Sequence, residues 1–531
     1  MFRVTRRNFA RVIAAAFALA PASGLQSQAP VVSAPISAIH YDVTADSAAV
    51  GRRQLGVTMT FRATSTRPVV LALPAWSPGH YTLLWFARRV SDFRAEANGS
   101  PLEWHMIDYQ TWEVIPRAPG EIRVSFSYRA DTIDRAVAWT KPDFSFFNGT
   151  NLFMYPAGRS LEWGATVTVH TEPSWRVATG MNPAAQPNTF TAKRYHDLVD
   201  MPFFVGRFGM DSTNVQNHWI RLAMYPEKEM TPARRQRFLG WVDRFVPAEM
   251  AVFRDVEFRN YTIFFVADTV VNAGGLEHQN SQLDEIPLAR LEETPPSLFS
   301  HEFFHSWNVK RLRPADMVPY RYSDAQPTKW LWVSEGITDY YGNVALVRGG
   351  VTDSIGFYKA IAGEIAATDG AGAVSLSDAS LSVWVDPTNS MAGIYYPKGG
   401  LAGFLLDVMI RDASNNRNSL DTVMRTLYNS TYKRGKGFTS TDWWSEVSRA
   451  SGGKSFDEFR RRYVDGREPM PVDTVLALAG LRVVRDTVSE PLQRGGRAGP
   501  HTRISVTEAA GAPAKAVRIR SAIMHGDGAA H

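Results

Sequence analysis

The sequence contains no cysteine among its 531 residues. This absence excludes disulfide bonds, thiolate catalysis, iron–sulfur clusters, cysteine-ligated zinc and lipid attachment through cysteine. A tightly bound transition metal therefore needs histidine and carboxylate ligands. The sequence also lacks an apolar run of the roughly 20 residues that a transmembrane helix requires, so we expect no stable membrane anchor.

Residues 30–481 carry no marked excess of positive or negative charge. The net charge of +6 arises from 58 Lys and Arg residues against 52 Asp and Glu residues. Residues 1–29 contribute +4 and residues 482–531 another +4, which leaves −2 for residues 30–481. Because this body is nearly neutral, the sequence pI of about 9.3 does not indicate nucleic-acid binding.

Residues 1–29 have the composition of an export signal. Their arginines precede a short apolar run at 12–20, which is too short to cross a bilayer. Residues 5–11 resemble the twin-arginine export motif, and a general secretion signal that happens to contain Arg6 and Arg7 is the alternative. Both interpretations predict a bacterial protein that is exported to the periplasm or secreted.

Two kinds of pattern divide the rest of the chain. Between 35 and 215, short runs of β-branched and aromatic residues alternate with Pro, Gly, Asn and Asp, which predicts the strands of a sandwich or an open sheet. After about 220, helical patterns dominate, beginning at Thr231 as an N-cap and Pro232 as the first helical residue. We therefore predict an α+β multidomain protein, with a β-sandwich-like domain over 30–215 and a mostly helical domain over 216–480.

A helix predicted from about 295 to 312, with Thr294 as its N-cap, contains the sequence HEFFH at 301–305. His301 and His305 lie one turn apart on the same helix face, where both imidazoles can bind one zinc ion. Glu302 is placed to accept a proton from an attacking water. Apolar residues surround the motif, and a buried pair of histidines needs a partner. Two histidines and an acid on a solvated helix face are the structural alternative.

A second predicted helix, at 329–347, supplies two further carboxylates. Glu335 can complete a three-ligand catalytic zinc site that leaves one position for water. Asp339 follows four residues later and can accept the outer N–H of a ligand histidine. For Asp339, a surface acid near the start of a helix is the alternative.

The stretches HEFFHSWNVKRLRP at 301–314 and LWVSEGITDYYGN at 331–343 resemble the glycyl aminopeptidase family of zinc metallopeptidases, which belongs to the gluzincins. LPAWSPGH at 73–80, FFNGTNLF at 146–153 and LVDMP at 198–202 resemble the N-terminal β domain of that family. The resemblance covers about 30–480 and implies a thermolysin-like catalytic domain. It further implies one zinc ion held by His301, His305 and Glu335, with Glu302 as the general base.

Two more segments resemble motifs of related aminopeptidases. GGLEH at 274–278 is similar to the Gly-x-Met-Glu exopeptidase motif, which implies that Glu277 pairs with the substrate α-ammonium and that the backbone at Gly275 binds an extended peptide. A Gly-Gly turn with a solvated acid is the alternative.

YYPKGG at 395–400 resembles the Tyr-x-Lys-Gly motif of gluzincins, which implies that Tyr396, or alternatively Tyr395, stabilises the oxyanion. A tyrosine pair packed in the core is the structural alternative.

The C-terminal residues depart from the family pattern. Members of the family usually end in a PDZ domain, whereas 481–531 show only a trace of one near 503–514. We predict an incomplete PDZ-like or disordered tail that binds no peptide.

These observations together predict an exported zinc aminopeptidase that removes small N-terminal residues, Gly or Ala, from peptide substrates. One alternative is a zinc endopeptidase in which Glu277 has a structural role. The other is a catalytically silent peptide-binding protein. The sequence predicts no particular oligomeric state.

Overall fold

The computed structural model describes residues 31–385, 391, 393–488 and 501–526. The export signal predicted at 1–29 lies outside the described residues. Among the residues described, none of the helices combines the length and apolar character that a bilayer span requires.

The first domain consists of strands whose apolar residues alternate with polar ones. In β2, every second residue from Leu55 to Ala63 is buried, as expected for a sheet that covers a core with one face. The strands are β1 Ile36–Thr44, β2 Gln54–Ala63, β3 Val69–Ala72, β4 Val90–Ala97, β5 Ser100–Pro101, β6 Glu103–Asp108, β7 Thr111–Ile115, β8 Gly120–Arg129, β9 Asp131–Asp134, β10 Val137–Lys141, β11 Phe144–Asn148, β12 Tyr155–Pro156, β13 Ala165–His170, β14 Arg176–Thr179, β15 Asn182–Pro183, β16 Thr189–Ala192 and β17 Pro202–Gly206. Three short helices interrupt them: α1 Ser47–Gly51, α2 Gly149–Leu152 and α3 Tyr195–Val199.

These strands form three sheets. An eight-stranded sheet has the order β15-β16-β13-β1-β2-β8-β4-β5, a five-stranded sheet has the order β14-β17-β11-β10-β9, and a four-stranded sheet has the order β12-β3-β7-β6. The short β-branched and aromatic runs predicted as strands after residue 35 supply the strands of this domain. The prediction of a β domain followed by a helical domain is therefore confirmed.

A further mixed sheet opens the second domain. Its strands are β18 Gly209–Val215, β19 His218–Tyr225, β20 Asn260–Asp268, β21 Gly274–His278 and β22 Ser281–Pro287, in the order β18-β19-β20-β22-β21. Because β18 pairs along its whole length with β19, the strands of the first domain end at Gly206, earlier than the boundary predicted at 215. Strand β21 lies at the sheet edge and is antiparallel to β22.

Helices pack against this sheet and complete the second domain. They are α4 Pro232–Phe253, α5 Pro296–Phe304, α6 Ile337–Arg348, α7 Ser354–Gly370, α8 Leu376–Ser382, α9 Pro397–Ala413, α10 Leu420–Ser430, α11 Ser440–Ala450, α12 Asp457–Phe459 and α13 Val472–Leu478. Thr231 caps α4 as predicted, since its side chain accepts from the backbone N–H of Arg234. The predicted cap at Thr294 is wrong: its hydroxyl donates to the carbonyl oxygen of Leu291, and α5 begins after Pro295.

The tail is folded where the structure describes it. Strands β23 Leu481–Val488 and β24 His501–Glu508 form an antiparallel hairpin, and α14 Ala514–His525 follows. Tyr358 of α7 donates to Glu508 at 3.0 Å, and Arg348 of α6 donates to the carbonyl oxygen of Ile523 at 2.9 Å. The disordered alternative for 481–531 is therefore wrong for 481–488 and 501–526, which pack onto the helical domain.

The two domains are joined through a buried tryptophan that follows β3. Trp76 is 0% exposed, and its indole N–H donates to the carbonyl oxygen of Arg321 at 2.8 Å. Its ring meets the rings of Tyr320 and Trp384 edge-on, at centroid distances of 5.7 and 5.1 Å. A large aromatic ring with a satisfied N–H contributes both packing and specificity to such an interface.

We expect the substitution Trp76→Ala to lower the free energy of unfolding by about 3–5 kcal/mol, because it leaves a cavity between the domains. The measurement is the thermal unfolding midpoint by scanning calorimetry. Trp219→Ala is the matched control, since Trp219 is 47% exposed and its removal should shift the midpoint little. Equal shifts for the two variants would contradict the interface role.

Candidate metal centre and peptide cleft

Helix α5 presents two histidines to one point. His301 lies in its last turn, and His305 is the residue at which the helix ends, rather than lying inside a longer helix as the sequence predicted. The two Nε2 atoms face each other at 3.0 Å. This arrangement follows from the four-residue spacing, which stacks the side chains on one face.

The carboxylate of Glu335 completes the group. Glu335 lies in a π-helical turn, Trp332–Gly336, that leads directly into α6. Its Oε2 is 3.6 Å from His301 Nε2 and 3.3 Å from His305 Nε2. Its Oε1 accepts a hydrogen bond from the Tyr81 hydroxyl at 2.6 Å, so a residue of the first domain orients this carboxylate.

The outer nitrogens of both rings have oxygen partners. His301 Nδ1 lies 2.7 Å from Asp339 Oδ1, and His305 Nδ1 lies 2.7 Å from the carbonyl oxygen of Asn308. With the protons on Nδ1, both Nε2 atoms direct lone pairs at the same point, where a carboxylate oxygen also lies. Three such electron-pair donors at this separation fit a zinc ion, and partners on the outer nitrogens are typical of metal-binding histidines.

Charge and burial set the protonation of the two central carboxylates. Burial would raise the pKa of Glu335, but the imidazoles of His305 and His301 outweigh it and hold the pKa below its ordinary value. Glu302 is also buried, and burial raises the pKa of its carboxyl despite the opposing effect of His301. Glu335 is thus held as an anionic ligand, whereas Glu302 is more basic than an exposed carboxylate.

Strand β21 forms one wall of the cleft beside Glu302. A Cβ atom at Gly275 would lie 2.2 Å from Glu302 Oε1, so a larger residue there would displace the carboxylate. Among the described strands none pairs with the outer edge of β21, which leaves backbone groups that an extended peptide can pair with.

Glu277, two residues further along β21, is buried among residues of both domains. Its Oε1 lies 3.9 Å from Lys310 Nζ, and Lys310 donates to Asp200 Oδ1 at 3.0 Å. Gly79, with a φ of +104°, passes so close that a Cβ there would lie 2.4 Å from Glu277 Oε2. Burial raises the pKa of the Glu277 carboxyl, and Lys310 opposes this shift. Because the nearer Asp200 carboxylate pairs with Lys310, Glu277 keeps capacity for another cation.

Tyr396, just before α9, faces His301 from across the cleft. The two rings have a centroid distance of 6.0 Å. Burial raises the pKa of the Tyr396 hydroxyl, and Glu335 raises it further, so the phenol keeps its proton and remains a donor. The alternative residue, Tyr395, is buried in the core and does not line the cleft.

All eight predicted site residues line a single cleft of about 650 Å³. They are Gly275, Glu277, His301, Glu302, His305, Glu335, Asp339 and Tyr396. Their convergence disfavours the alternatives of a solvated helix face, a solvated acid at Glu277 and a surface acid at Asp339. The functions of the individual residues remain proposals.

The sequence did not indicate several side chains of the site. Tyr81 follows the quoted stretch 73–80 directly, and Lys310 lies inside the quoted stretch 301–314, so proximity to a motif could have found both. Arg135 also lines the cleft, and its Nη1 donates to the carbonyl oxygen of Gly275 at 3.3 Å. Nothing in its local sequence indicates that contact, since the first domain brings it to β21 only through folding.

Comparisons with known proteins agree with this geometry. Residues 40–207 match the Peptidase M61 N-terminal domain, and residues 296–402 match the M61 glycyl aminopeptidase domain. No curated protein sequence matches the chain significantly.

Solved structures share the two-domain architecture. An aminopeptidase N family protein from Idiomarina loihiensis is 25% identical, with 87% of this chain and 81% of that chain covered and a TM-score of 0.78. A mutant M1 zinc metallopeptidase from Deinococcus radiodurans, bound to a Tyr-Ser-Ala substrate, is 17% identical. The match covers 82% of this chain and 96% of that chain, with a TM-score of 0.54. At that identity the second likeness concerns the fold alone.

The two matched family domains together span just over half of the 531 residues, and the second includes the whole segment from His301 to Tyr396. The chain therefore belongs to the M61 glycyl aminopeptidase family and is a peptidase.

Proposed function

We propose that this peptidase is a zinc aminopeptidase that removes one small residue at a time from the free N-terminus of peptides. The observation that carries the proposal is the convergence of His301, His305 and Glu335 beside two buried carboxylates that are not part of this ligand set. Glu302 is available for proton transfer, and Glu277 is available to bind the positively charged amine of a substrate.

One zinc ion fits the three converging donors. When bound, zinc supplies Lewis acidity, which polarises the scissile carbonyl and makes water a better nucleophile near neutral pH. Glu302 accepts the proton of the attacking water and delivers it to the leaving amine. The Gly275 backbone lies against Glu302 and keeps its carboxylate on the cleft side.

Tyr396 supplies a neutral hydrogen-bond donor. Its raised pKa keeps the hydroxyl protonated at neutral pH, so it can donate to the negative charge that develops on the carbonyl oxygen. A donor fixed before the reaction stabilises that charge without reorganisation.

Glu277 sets the position of the substrate amine. Ligand atoms of Glu277, His305 and Glu335 lie within 4.8 Å of one another, a span that one amino-acid residue can bridge between its ammonium and its carbonyl. This spacing supports the removal of single residues and disfavours an endopeptidase, which needs no charge at that point. The preference for Gly and Ala rests on the family resemblance.

A catalytically silent peptide-binding protein would lack a metal-facing residue or the base, and this chain has His301, Glu302, His305 and Glu335. Export rests on the sequence of residues 1–29 and stays a prediction.

We expect one zinc ion per chain by elemental analysis. Chelation should remove both the ion and the activity, and zinc should restore them. The thermal midpoint should fall on chelation, because a ligand that binds only the folded state stabilises it.

His305→Ala should abolish zinc retention, whereas His105→Ala, a change at an exposed position, should not. A variant without His305 that retains stoichiometric zinc would exclude the assignment.

The substitution Glu302→Gln should lower kcat roughly 10²–10⁴-fold, because it removes a general base while leaving the metal-facing donors intact. Zinc content should stay at one ion per chain. Glu293→Gln, at an exposed position in the turn before α5, should leave kcat unchanged. Retention of more than a tenth of the activity by Glu302→Gln would show that another group is the base.

A panel of free and blocked substrates tests the exopeptidase assignment. Gly- and Ala-anilides should be hydrolysed faster than Leu- and Arg-anilides, and N-acetyl-Ala-anilide should resist hydrolysis because it has no ammonium for Glu277. Glu277→Gln should raise KM for the free substrates roughly ten-fold or more by removing a charge-assisted contact. Equal hydrolysis of acetylated and free peptides would favour the endopeptidase alternative.

A further inference from the structure

The cleft contains an acidic side chain that neither hydrolysis nor recognition of the amine uses. Glu364 of α7 lines the same cleft and is only 8% exposed. Within the described part of the chain, its Oε2 has no hydrogen-bond partner. Its Oε1 lies beside the start of α9, where a Cβ on Gly400 would be 2.8 Å away. A buried carboxylate oxygen that lacks a partner is unfavourable unless a ligand satisfies it.

Within the part of the chain that the structure describes, no positive charge affects the pKa of Glu364. The charged side chain that shifts the pKa of Glu364, among the described residues, is a second acid, Asp339. Burial raises the pKa of the Glu364 carboxyl well above its ordinary value, and Asp339 raises it further. An arriving cation would oppose both effects, because it favours the ionised carboxylate and offsets the repulsion from Asp339.

Position identifies which part of a substrate reaches this carboxylate. Glu277 on β21 holds the amine at one wall of the cleft, and the reacting carbonyl lies at the three converging donors. The residue after the cleaved bond lies beyond these donors as seen from Glu277, and α6 and α7 form a wall of the cleft that its side chain can reach. The side chains there leave room, since Ala360 is small and a Cβ on Gly363 would meet nothing within 4 Å.

We propose that Glu364 is a specificity-determining residue that binds the positively charged side chain of the second substrate residue, so that peptides with Lys or Arg at this position are preferred. The proposal rests on the aminopeptidase function proposed above. It assigns to the α6–α7 wall a cation-binding subsite, with Glu364 as its direct contact and Asp339 as a more distant negative charge.

Three tripeptides test the proposal: Ala-Lys-Ala, Ala-(N-ε-acetyl-Lys)-Ala and Ala-norleucine-Ala. They share the first residue and the unbranched carbon stem of the second side chain, and only the Lys peptide carries a positive charge at the end of that stem. The wild-type enzyme should show a kcat/KM for Ala-Lys-Ala that exceeds both others by roughly ten-fold or more, as expected for a charge-assisted hydrogen bond. The absence of a preference for Lys in the wild-type enzyme would overturn the proposal without any variant.

Glu364→Gln should remove the preference for Lys while leaving hydrolysis of the norleucine peptide within about two-fold of wild type, because it removes the charge and keeps the shape of the side chain. Asp369→Asn, at an exposed position on the same helix, is the matched control for net charge and should keep the preference. A preference retained by Glu364→Gln would assign the selectivity to another group. If the wild-type enzyme cleaves none of the three peptides, the result would instead contradict the aminopeptidase function itself.

Discussion

The structure depends on the convergence of two imidazoles and a carboxylate at one buried point. Two imidazole nitrogens, 3.0 Å apart, and the Glu335 carboxylate converge at a buried point, while the outer ring nitrogens lie beside the Asp339 carboxylate and the carbonyl oxygen of Asn308. Such a cluster is costly without a cation. The helix end at His305, the π-helical turn at Glu335 and the packing of α5 on α6 all serve to hold these groups together.

Residues of the first domain contact the side chains and the backbone that form the cleft. Tyr81 orients Glu335, and Asp200 lies nearer than Glu277 to the ammonium of Lys310. Arg135 holds the backbone of the edge strand at Gly275. Each of these contacts crosses from the β domain to the helical domain, so the electrostatics of the cleft depend on how the two domains are docked.

The sequence predicted the parts of the site that lie in short motifs and missed those that come together through folding. The HEFFH spacing placed both histidines correctly, because four residues return to the same helix face. Thr231 and Pro232 identified the start of α4 by local chemistry, whereas Thr294 failed because its hydroxyl bonds to a preceding carbonyl instead. Arg135 and Glu364 reach the cleft only through folding, and no local sequence pattern indicates their positions there. The folded strand pair and helix after residue 480 were missed because their apolar residues find a core only against the helices of the second domain.

The buried pair of Lys310 and Asp200 has a consequence for how the enzyme can move. Separating the domains would expose an ammonium and a carboxylate that now compensate each other, and it would release the carbonyl oxygen of Pro78 from Lys310. Opening at this seam would therefore break the charge balance beside Glu277. The docking of the first domain is thus an electrostatic condition of the cleft as well as a packing contact.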